Sequence, residues 1–146
     1  MFMQRLSVAA AAALMLLSVN ACSQDAALTL TAPDAHAQAQ AGQLTLIDIR
    51  RPDEWRQTGV APGTLRIDMS QGAARFVSQV DAAVGGDRNT PVGLICRTGN
   101  RSTHMQAALA DAGFTRVYNV KEGMVGSAAG PGWIQRGLPV EPCPAC

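Results

Sequence analysis

The stretch PVGLICRTGNRS (residues 91–102) contains three structural signals in succession. Residues 91–95 form a short apolar run of the kind that makes a buried strand. Cys96 follows this run directly, and a helix is predicted to begin near Ser102. Open α/β sheets bind their ligands at the carboxyl ends of their strands. This order of elements therefore predicts an α/β fold and makes Cys96 a candidate functional residue.

Other segments of the chain repeat the alternation of strand and helix. The apolar run at residues 44–49 predicts a second buried strand, and residues 116–120 predict the last one. Between and after these strands, apolar residues recur at helical spacing in two groups: Phe76, Val77, Val80, Ala83 and Val84, then Met105, Ala108, Leu109 and Ala112. Gly85, Gly86 and Gly113 stand where these two helices should end. The pattern predicts a small doubly wound α/β fold, with a largely parallel sheet and helices on both faces.

The first 21 residues have the features of a signal peptide. Arg5 precedes an apolar run at residues 6–19, which is too short for a comfortable membrane span. Residues 19–23 resemble the lipobox of bacterial lipoproteins, in which a cysteine, here Cys22, is acylated. The alternative is ordinary cleavage nearby, with Cys22 left as a plain thiol. We expect an exported protein in an extracytoplasmic space such as the periplasm, anchored to a membrane by lipid if Cys22 is acylated.

The remaining chain divides into three parts. Residues 22–41 are predicted to be a tether or edge segment, in which 27–31 could form a short strand and 33–40 a helical turn or two. Residues 42–142 have the size of one domain. Residues 143–146 form a C-terminal tail. Residues 123–132 are rich in glycine and predict a flexible loop.

The charge of the chain argues against a nucleic-acid-binding protein. Removal of residues 1–21 takes away Arg5 and leaves eleven basic and eleven acidic residues, so the mature chain is close to neutral. Eleven of the twelve basic residues in the whole sequence are arginine, which favours bidentate recognition of oxyanions. A genome rich in G and C would also raise the arginine content, so the composition by itself does not identify a ligand.

The loop after residues 91–95 is suited to a nucleophilic cysteine. Gly99 allows a positive φ, so the amides that follow Cys96 can turn inward as an anion-binding nest. The start of the next helix, together with Arg97 and Arg101, adds positive potential that favours the Cys96 thiolate. The alternative is a buried structural cysteine, but burial of two arginines beside an inert thiol would cost desolvation energy without benefit.

Three stretches extend this interpretation to a known family. They are LIDIRRPDEW (residues 46–55), RTGNR (residues 97–101) and WIQRGLPV (residues 133–140). Over residues 44–140 the chain closely resembles the rhodanese family of sulfurtransferases. Two positions depart from the family pattern: Val60 stands where many relatives carry histidine, and a Gly-Gly turn is replaced by Glu122 and Gly123 with a longer loop.

The resemblance implies a mechanism and a role for each site residue. Cys96 would take a sulfane sulfur from a donor such as thiosulfate, become a persulfide and pass the sulfur to a thiol or cyanide, with no metal or organic cofactor. Arg97 and Arg101 would orient the anionic donor, while Asp48 and Arg50 would brace the loop. The persulfide would be stabilised by the backbone amides of Arg97, Thr98, Gly99, Asn100, Arg101 and Ser102.

Two other classes of function compete with this one. Cysteine phosphatases and arsenate reductases use a similar loop, usually with five residues between cysteine and arginine, whereas Cys96 and Arg101 have four between them. The shorter loop brings its amides closer to the sulfur and suits a single added sulfur atom. A sulfur carrier without turnover, or a rhodanese-like binding module, is the second rival. Steady-state formation of thiocyanate would separate an enzyme from a carrier.

The tail contains a C-x-x-C pair, Cys143 and Cys146. Such a pair can be a redox dithiol, half a metal site or a disulfide. A metal would need more ligands, and the sequence does not place His36 or His104 near the pair. An oxidising compartment favours the disulfide. A role as dithiol acceptor for the Cys96 persulfide is a further hypothesis.

Overall fold

The computed structural model of the protein describes residues 28–146. The predicted signal peptide at residues 1–21 and the candidate lipidation site Cys22 lie outside the described residues. None of the helices found between residues 28 and 146 is long and apolar enough to cross a membrane.

A parallel sheet forms the centre of the fold. Within residues 28–146 it has five strands in the order β1-β5-β4-β2-β3. The strands are β1 (Thr29–Leu30), β2 (Thr45–Asp48), β3 (Leu65–Arg66), β4 (Val92–Ile95) and β5 (Val117–Val120). β4 is central, and Asp48 of β2 lies level with Ile95 of β4. Both strands therefore end at the same edge of the sheet, and Cys96 is the first residue after β4.

Helices cover both faces of the sheet, which confirms the predicted α/β class. They are α1 (Ala32–Gln40), α2 (Pro52–Thr58), α3 (Ala73–Ala83), α4 (Asn100–Asp111) and α5 (Gly132–Gln135), with a short 3₁₀ turn at Met69–Gln71. On one face, Phe76 of α3 and Leu109 of α4 pack with Leu94 in a fully buried cluster. On the other face, Ala35 of α1 and Trp133 of α5 are equally buried. Burial of a large apolar side chain stabilises a domain by about 1.5–3 kcal/mol.

The N-terminal segment is folded from residue 29 onward. β1 pairs with β5, and α1 begins after Thr31, whose side chain caps it by accepting from the Asp34 amide. The buried Glu122 carboxylate accepts from the Ala32 amide at 2.6 Å. Residues 29–40, which lie within the predicted tether or edge segment at 22–41, thus belong to the sheet and its covering layer.

Two local features differ from the sequence prediction. α4 begins at Asn100 rather than near Ser102, because Gly99 is left-handed (φ 89°) and lets the helix start directly after it. β3 was not predicted. It is two exposed residues long, too short to show an alternating pattern.

Candidate active site

Cys96 lies at the carboxyl end of β4 and is completely buried. Its Sγ accepts a hydrogen bond from the Gly99 amide at 3.1 Å and lies 3.3 Å from Ser102 Oγ. The Cys96 carbonyl accepts from the Met124 amide at 2.9 Å. The sulfur therefore lies inside the curve of the loop, with polar donors on the loop side and the apolar core behind it.

Two glycines allow this loop to pack closely against the chain that follows β5. A Cβ on Gly99 would overlap the carbonyl oxygen of Lys121, and a Cβ on Gly123 would overlap that of Arg97. Both glycines have positive φ, 89° and 66°. The loop can adopt this shape only because neither position carries a side chain.

A chain of hydrogen bonds continues from Ser102 away from Cys96, buried at Ser102 and Asn119 and partly exposed at Thr103. Ser102 Oγ donates to Asn119 Oδ1 at 2.7 Å, and Asn119 Nδ2 donates to Thr103 Oγ1 at 2.8 Å. Thr103 Oγ1 donates to the Gly99 carbonyl at 2.8 Å. Asn119 is completely buried in β5. Sequence reasoning missed this residue, although an amide inside an otherwise apolar strand is a signal that could have indicated it.

Arg101 is held by Glu54 of α2. Its two terminal nitrogens donate to the two carboxylate oxygens at 2.7 and 2.5 Å. Glu54 Oε2 also accepts from the Arg51 amide at 3.1 Å in a capping box. Burial raises the pKa of Glu54, but the Arg101 guanidinium and the Arg51 amide outweigh burial and keep that pKa below its ordinary value. Glu54 was also missed, because no local pattern pairs residues that are 47 positions apart.

Arg97 differs from Arg101 in being exposed. Within residues 28–146 its side chain makes no hydrogen bond or ion pair. Thr98 and Asn100 border a groove of about 450 Å³ whose opposite wall is the glycine-rich loop at residues 126–129. Lys121 lines the same groove. Within the cysteine loop, Arg97 is thus the cation available to an incoming anion, since Arg101 is bound to Glu54.

Asp48 and Arg50 form a buried ion pair, with Arg50 Nη2 2.7 Å from Asp48 Oδ2. Arg50 also donates to Thr58 Oγ1 at 2.7 Å and to the Gly59 carbonyl at 2.9 Å. These contacts fix the end of α2, the helix that carries Glu54. Bracing of the loop by this pair would therefore act through α2.

The two departures from the family pattern have structural counterparts. Val60 is buried and exchanges backbone hydrogen bonds with Glu141. The Glu122 carboxylate is buried and accepts from the Gly132 amide at 2.8 Å and from Arg136 Nε at 2.7 Å. Burial raises the pKa of Glu122, but Arg136 and the backbone amides bring it below its ordinary value. Glu122 thus ties the glycine-rich loop to the body of the domain.

Cys143 and Cys146 form a disulfide. The Cys146 carbonyl accepts from Arg56 of α2 at 2.5 Å, so the tail rests on α2. Cys96 is the free cysteine of the described chain. In residues 28–146 no group of three or more His, Cys, Asp or Glu side chains could hold a metal ion. His104 is exposed on α4, as expected of a solvated histidine.

Fold and site together define a parallel α/β protein with a buried cysteine at the start of a glycine-containing loop. The family described as "Rhodanese-like domain" matches residues 31–129, more than half of the chain. The protein belongs to this family.

Solved structures with similar folds include three informative cases. The crystal structure of Rv0390 from M. tuberculosis is 29% identical, with a TM-score of 0.63 over 80% of this chain and 98% of that one. The polysulfide-sulfur transferase homodimer from Wolinella succinogenes is 28% identical, with a TM-score of 0.60 over 79% of this chain and 78% of that one. A thiosulfate sulfurtransferase from Pseudomonas aeruginosa is 25% identical, with a TM-score of 0.63 over 79% of this chain and 20% of that one.

Proposed function

We propose that this protein is a sulfurtransferase that carries sulfur as a persulfide on Cys96. The observation that carries the proposal is that the Gly99 amide donates to Sγ of a fully buried Cys96, in a loop with four residues between Cys96 and Arg101. Two of the similar structures are described as sulfur transferases, one for polysulfide and one for thiosulfate. A donor with a terminal sulfane sulfur and an anionic remainder fits this arrangement.

The reaction proceeds in two displacements. With thiosulfate as donor, the Cys96 thiolate attacks the sulfane sulfur, the sulfur–sulfur bond of thiosulfate breaks, and sulfite leaves with the electron pair. Arg97 attracts the dianion, and the loop amides stabilise the negative outer sulfur of the persulfide. A thiolate or cyanide then attacks that outer sulfur and releases the Cys96 thiolate, so neither step needs an external oxidant.

Two features of the loop support sulfur rather than phosphate as the group transferred. Its Gly99 amide already contacts Sγ at 3.1 Å, and Arg101 is turned toward Glu54. A phosphatase loop instead needs room and a free arginine for a tetrahedral phosphoryl group above the sulfur. The same geometry serves a carrier as well as an enzyme, since both form the persulfide.

Intact mass spectrometry tests the persulfide directly. Treatment with thiosulfate should add the mass of one sulfur atom to the wild-type protein, and Cys96→Ser should abolish this gain. A wild-type protein that never takes up sulfur would end the proposal.

Continuous thiocyanate formation from thiosulfate and cyanide identifies an enzyme, whereas one burst without turnover identifies a carrier. Hydrolysis of an aryl phosphate at a rate comparable to that of thiocyanate formation would favour the phosphatase alternative.

The hypothesis that the tail accepts sulfur from Cys96 has its own test. Cys143→Ser with Cys146→Ser removes the disulfide but leaves the loop intact. We expect unchanged turnover with a small thiol acceptor, because the described contacts of the tail are with α2 and not with the loop. A marked loss of turnover in this variant would support the relay.

We further propose that the protein acts outside the cytoplasm as a lipoprotein anchored through Cys22. The support is the sequence of residues 1–23 alone. Metabolic labelling with a fatty acid should mark the wild-type chain and not Cys22→Ala. Labelling that persists in Cys22→Ala, or an unlabelled wild-type chain in a membrane-free fraction, would contradict the anchor.

A further inference from the structure

The Ser102 hydroxyl next to Cys96 has one proton and three polar neighbours. Its oxygen lies 2.7 Å from Asn119 Oδ1, 3.0 Å from the Gly99 carbonyl and 3.3 Å from Cys96 Sγ. A hydroxyl can donate only one hydrogen bond of full strength at a time. Because Asn119 Oδ1 is the nearest acceptor, the Ser102 proton points there, away from the sulfur.

This arrangement suits the neutral thiol. With the Ser102 proton on Asn119 Oδ1, a lone pair of Ser102 Oγ faces Cys96, and the S–H group can donate to it. The chain then continues in one direction, from Asn119 Nδ2 to Thr103 Oγ1 and from Thr103 to the Gly99 carbonyl. Every donor in the chain has an acceptor.

A thiolate or persulfide requires the opposite arrangement. A sulfur anion can only accept, so the Ser102 proton has to turn toward it and leave Asn119 Oδ1. A half-turn of the Asn119 amide restores the balance: Nδ2 then donates to Ser102 Oγ, and Thr103 Oγ1 donates to Oδ1. The Gly99 carbonyl then loses the Thr103 hydroxyl and its 3.5 Å contact with Asn119 Nδ2, but it still accepts from the Thr103 amide at 3.2 Å. No heavy atom other than the amide oxygen and nitrogen has to exchange position.

We propose that Asn119 is a positioning residue that switches the Ser102 hydroxyl between a thiol arrangement and an arrangement for the thiolate or persulfide of Cys96. The inference rests on the proposed function in taking Cys96 as the reacting thiol. Asparagine is suited to this position because its side chain offers a donor and an acceptor of nearly equal shape. A carboxylate offers acceptors only and would hold the Ser102 proton permanently.

The charged groups around Cys96 come from the loop and from four neighbouring elements, and all of them stay unchanged in the variants below. They are Arg97 of the loop, Arg101 of α4 with its partner Glu54 of α2, the Asp48–Arg50 pair of β2 and its end, and Lys121 after β5, which lines the groove beside the loop. Differences between variants therefore report on Ser102 and residue 119.

The first test uses the wild-type protein and nuclear magnetic resonance. The side-chain NH₂ signals of Asn119 should shift with pH at the same midpoint as the ultraviolet absorbance of the Cys96 thiolate. In Cys96→Ser this titration should disappear. Asn89, an exposed asparagine whose Oδ1 accepts from Thr115 far from the site, is the internal control and should show no shift at that midpoint. An Asn119 amide that does not respond to Cys96 ionisation would overturn the proposal.

The second test measures what Ser102 contributes when residue 119 is changed. Ser102→Ala should slow alkylation of Cys96 by about tenfold in the wild-type background, the effect expected of one hydrogen bond to a charged group. In the Asn119→Asp background the new carboxylate already accepts the Ser102 proton. There, Ser102→Ala should slow the alkylation of Cys96 less than about twofold. The carboxylate that Asn119→Asp introduces is present in both members of the second pair, so its charge cancels in the comparison.

An equal effect of Ser102→Ala in both backgrounds would show that Asn119 does not control the hydroxyl. Neither test uses a sulfur donor. A protein that never accepts sulfur can still show the coupled titration, and a protein that accepts sulfur with a silent Asn119 amide refutes only the switch. Failure of the switch and failure of the proposed function are therefore distinguishable.

Discussion

Glu54 of α2 holds Arg101 of α4 in a bidentate ion pair, with nitrogen–oxygen distances of 2.7 and 2.5 Å. The pair joins the first helix after β2 to the cysteine loop after β4. It is 11% exposed on the Glu54 side and 31% on the Arg101 side. The loop arginine is thus a structural anchor of the site before any substrate arrives.

Replacement of Glu54 by glutamine should destabilise the protein and loosen the loop. The expected loss is about 2 kcal/mol, below the range for fully buried pairs because Arg101 is partly exposed. Urea unfolding measures it. Asp53→Asn is the matched control, since Asp53 also pairs with an arginine, Arg51, but on the surface. A loss in Asp53→Asn as large as in Glu54→Gln would contradict this account.

Acid should weaken the fold through Glu54 and Glu122. Both carboxylates have a pKa below the ordinary value of 4.5, because arginine and backbone donors outweigh burial. Their stabilisation is therefore complete above about pH 4.5, where the unfolded chain is also ionised, and is lost as the pH falls through the lower folded values. The free energy of unfolding, measured from neutral pH downward, should decline in this window. Glu122→Gln should reduce the slope of that decline; an unchanged slope would exclude Glu122 as a source.

Gly99→Ala should disrupt the loop much more than a similar change elsewhere. Alanine would be strained at φ 89° and its Cβ would overlap the Lys121 carbonyl oxygen, so we expect a loss above about 2 kcal/mol and no sulfur uptake. Gly63→Ala is the control, with φ 70° and open space around the new Cβ. It should cost about 1 kcal/mol and keep full sulfur uptake. Equal losses in the two variants would show that backbone strain alone, and not the Lys121 contact, matters.

Arg97→Ala should weaken donor binding, because Arg97 is the exposed guanidinium of the loop. We expect the KM for thiosulfate to rise about tenfold and to lose part of its dependence on ionic strength. Steady-state kinetics at several salt concentrations measures both effects. Arg116→Ala removes another exposed arginine, at the opposite edge of the sheet, and should leave KM unchanged. A wild-type KM in Arg97→Ala would remove Arg97 from donor recognition.

Much of the fold could be predicted from local patterns. The apolar runs at residues 44–49 and 91–95 predicted β2 and β4, and helical spacing predicted α3 and α4. Strand β3 was missed, because two exposed residues carry no periodicity. The start of α4 was placed two residues late, because a left-handed glycine can start a helix earlier than expected. The parallel class followed from the alternation of strands and helices, and the sheet order needed the structure.

The sequence by itself determined that Cys96 follows a strand and opens a loop with Gly99 and two arginines, because these features depend only on neighbouring residues. Only the tertiary structure decided what each loop residue does. It paired Arg101 with Glu54, 47 positions away, and linked Ser102 to Asn119, 17 positions away. Such contacts arise when parallel strands bring their carboxyl ends to one edge of the sheet. The strand order and register that decide which side chains meet there depend on packing between distant segments, which no local pattern contains.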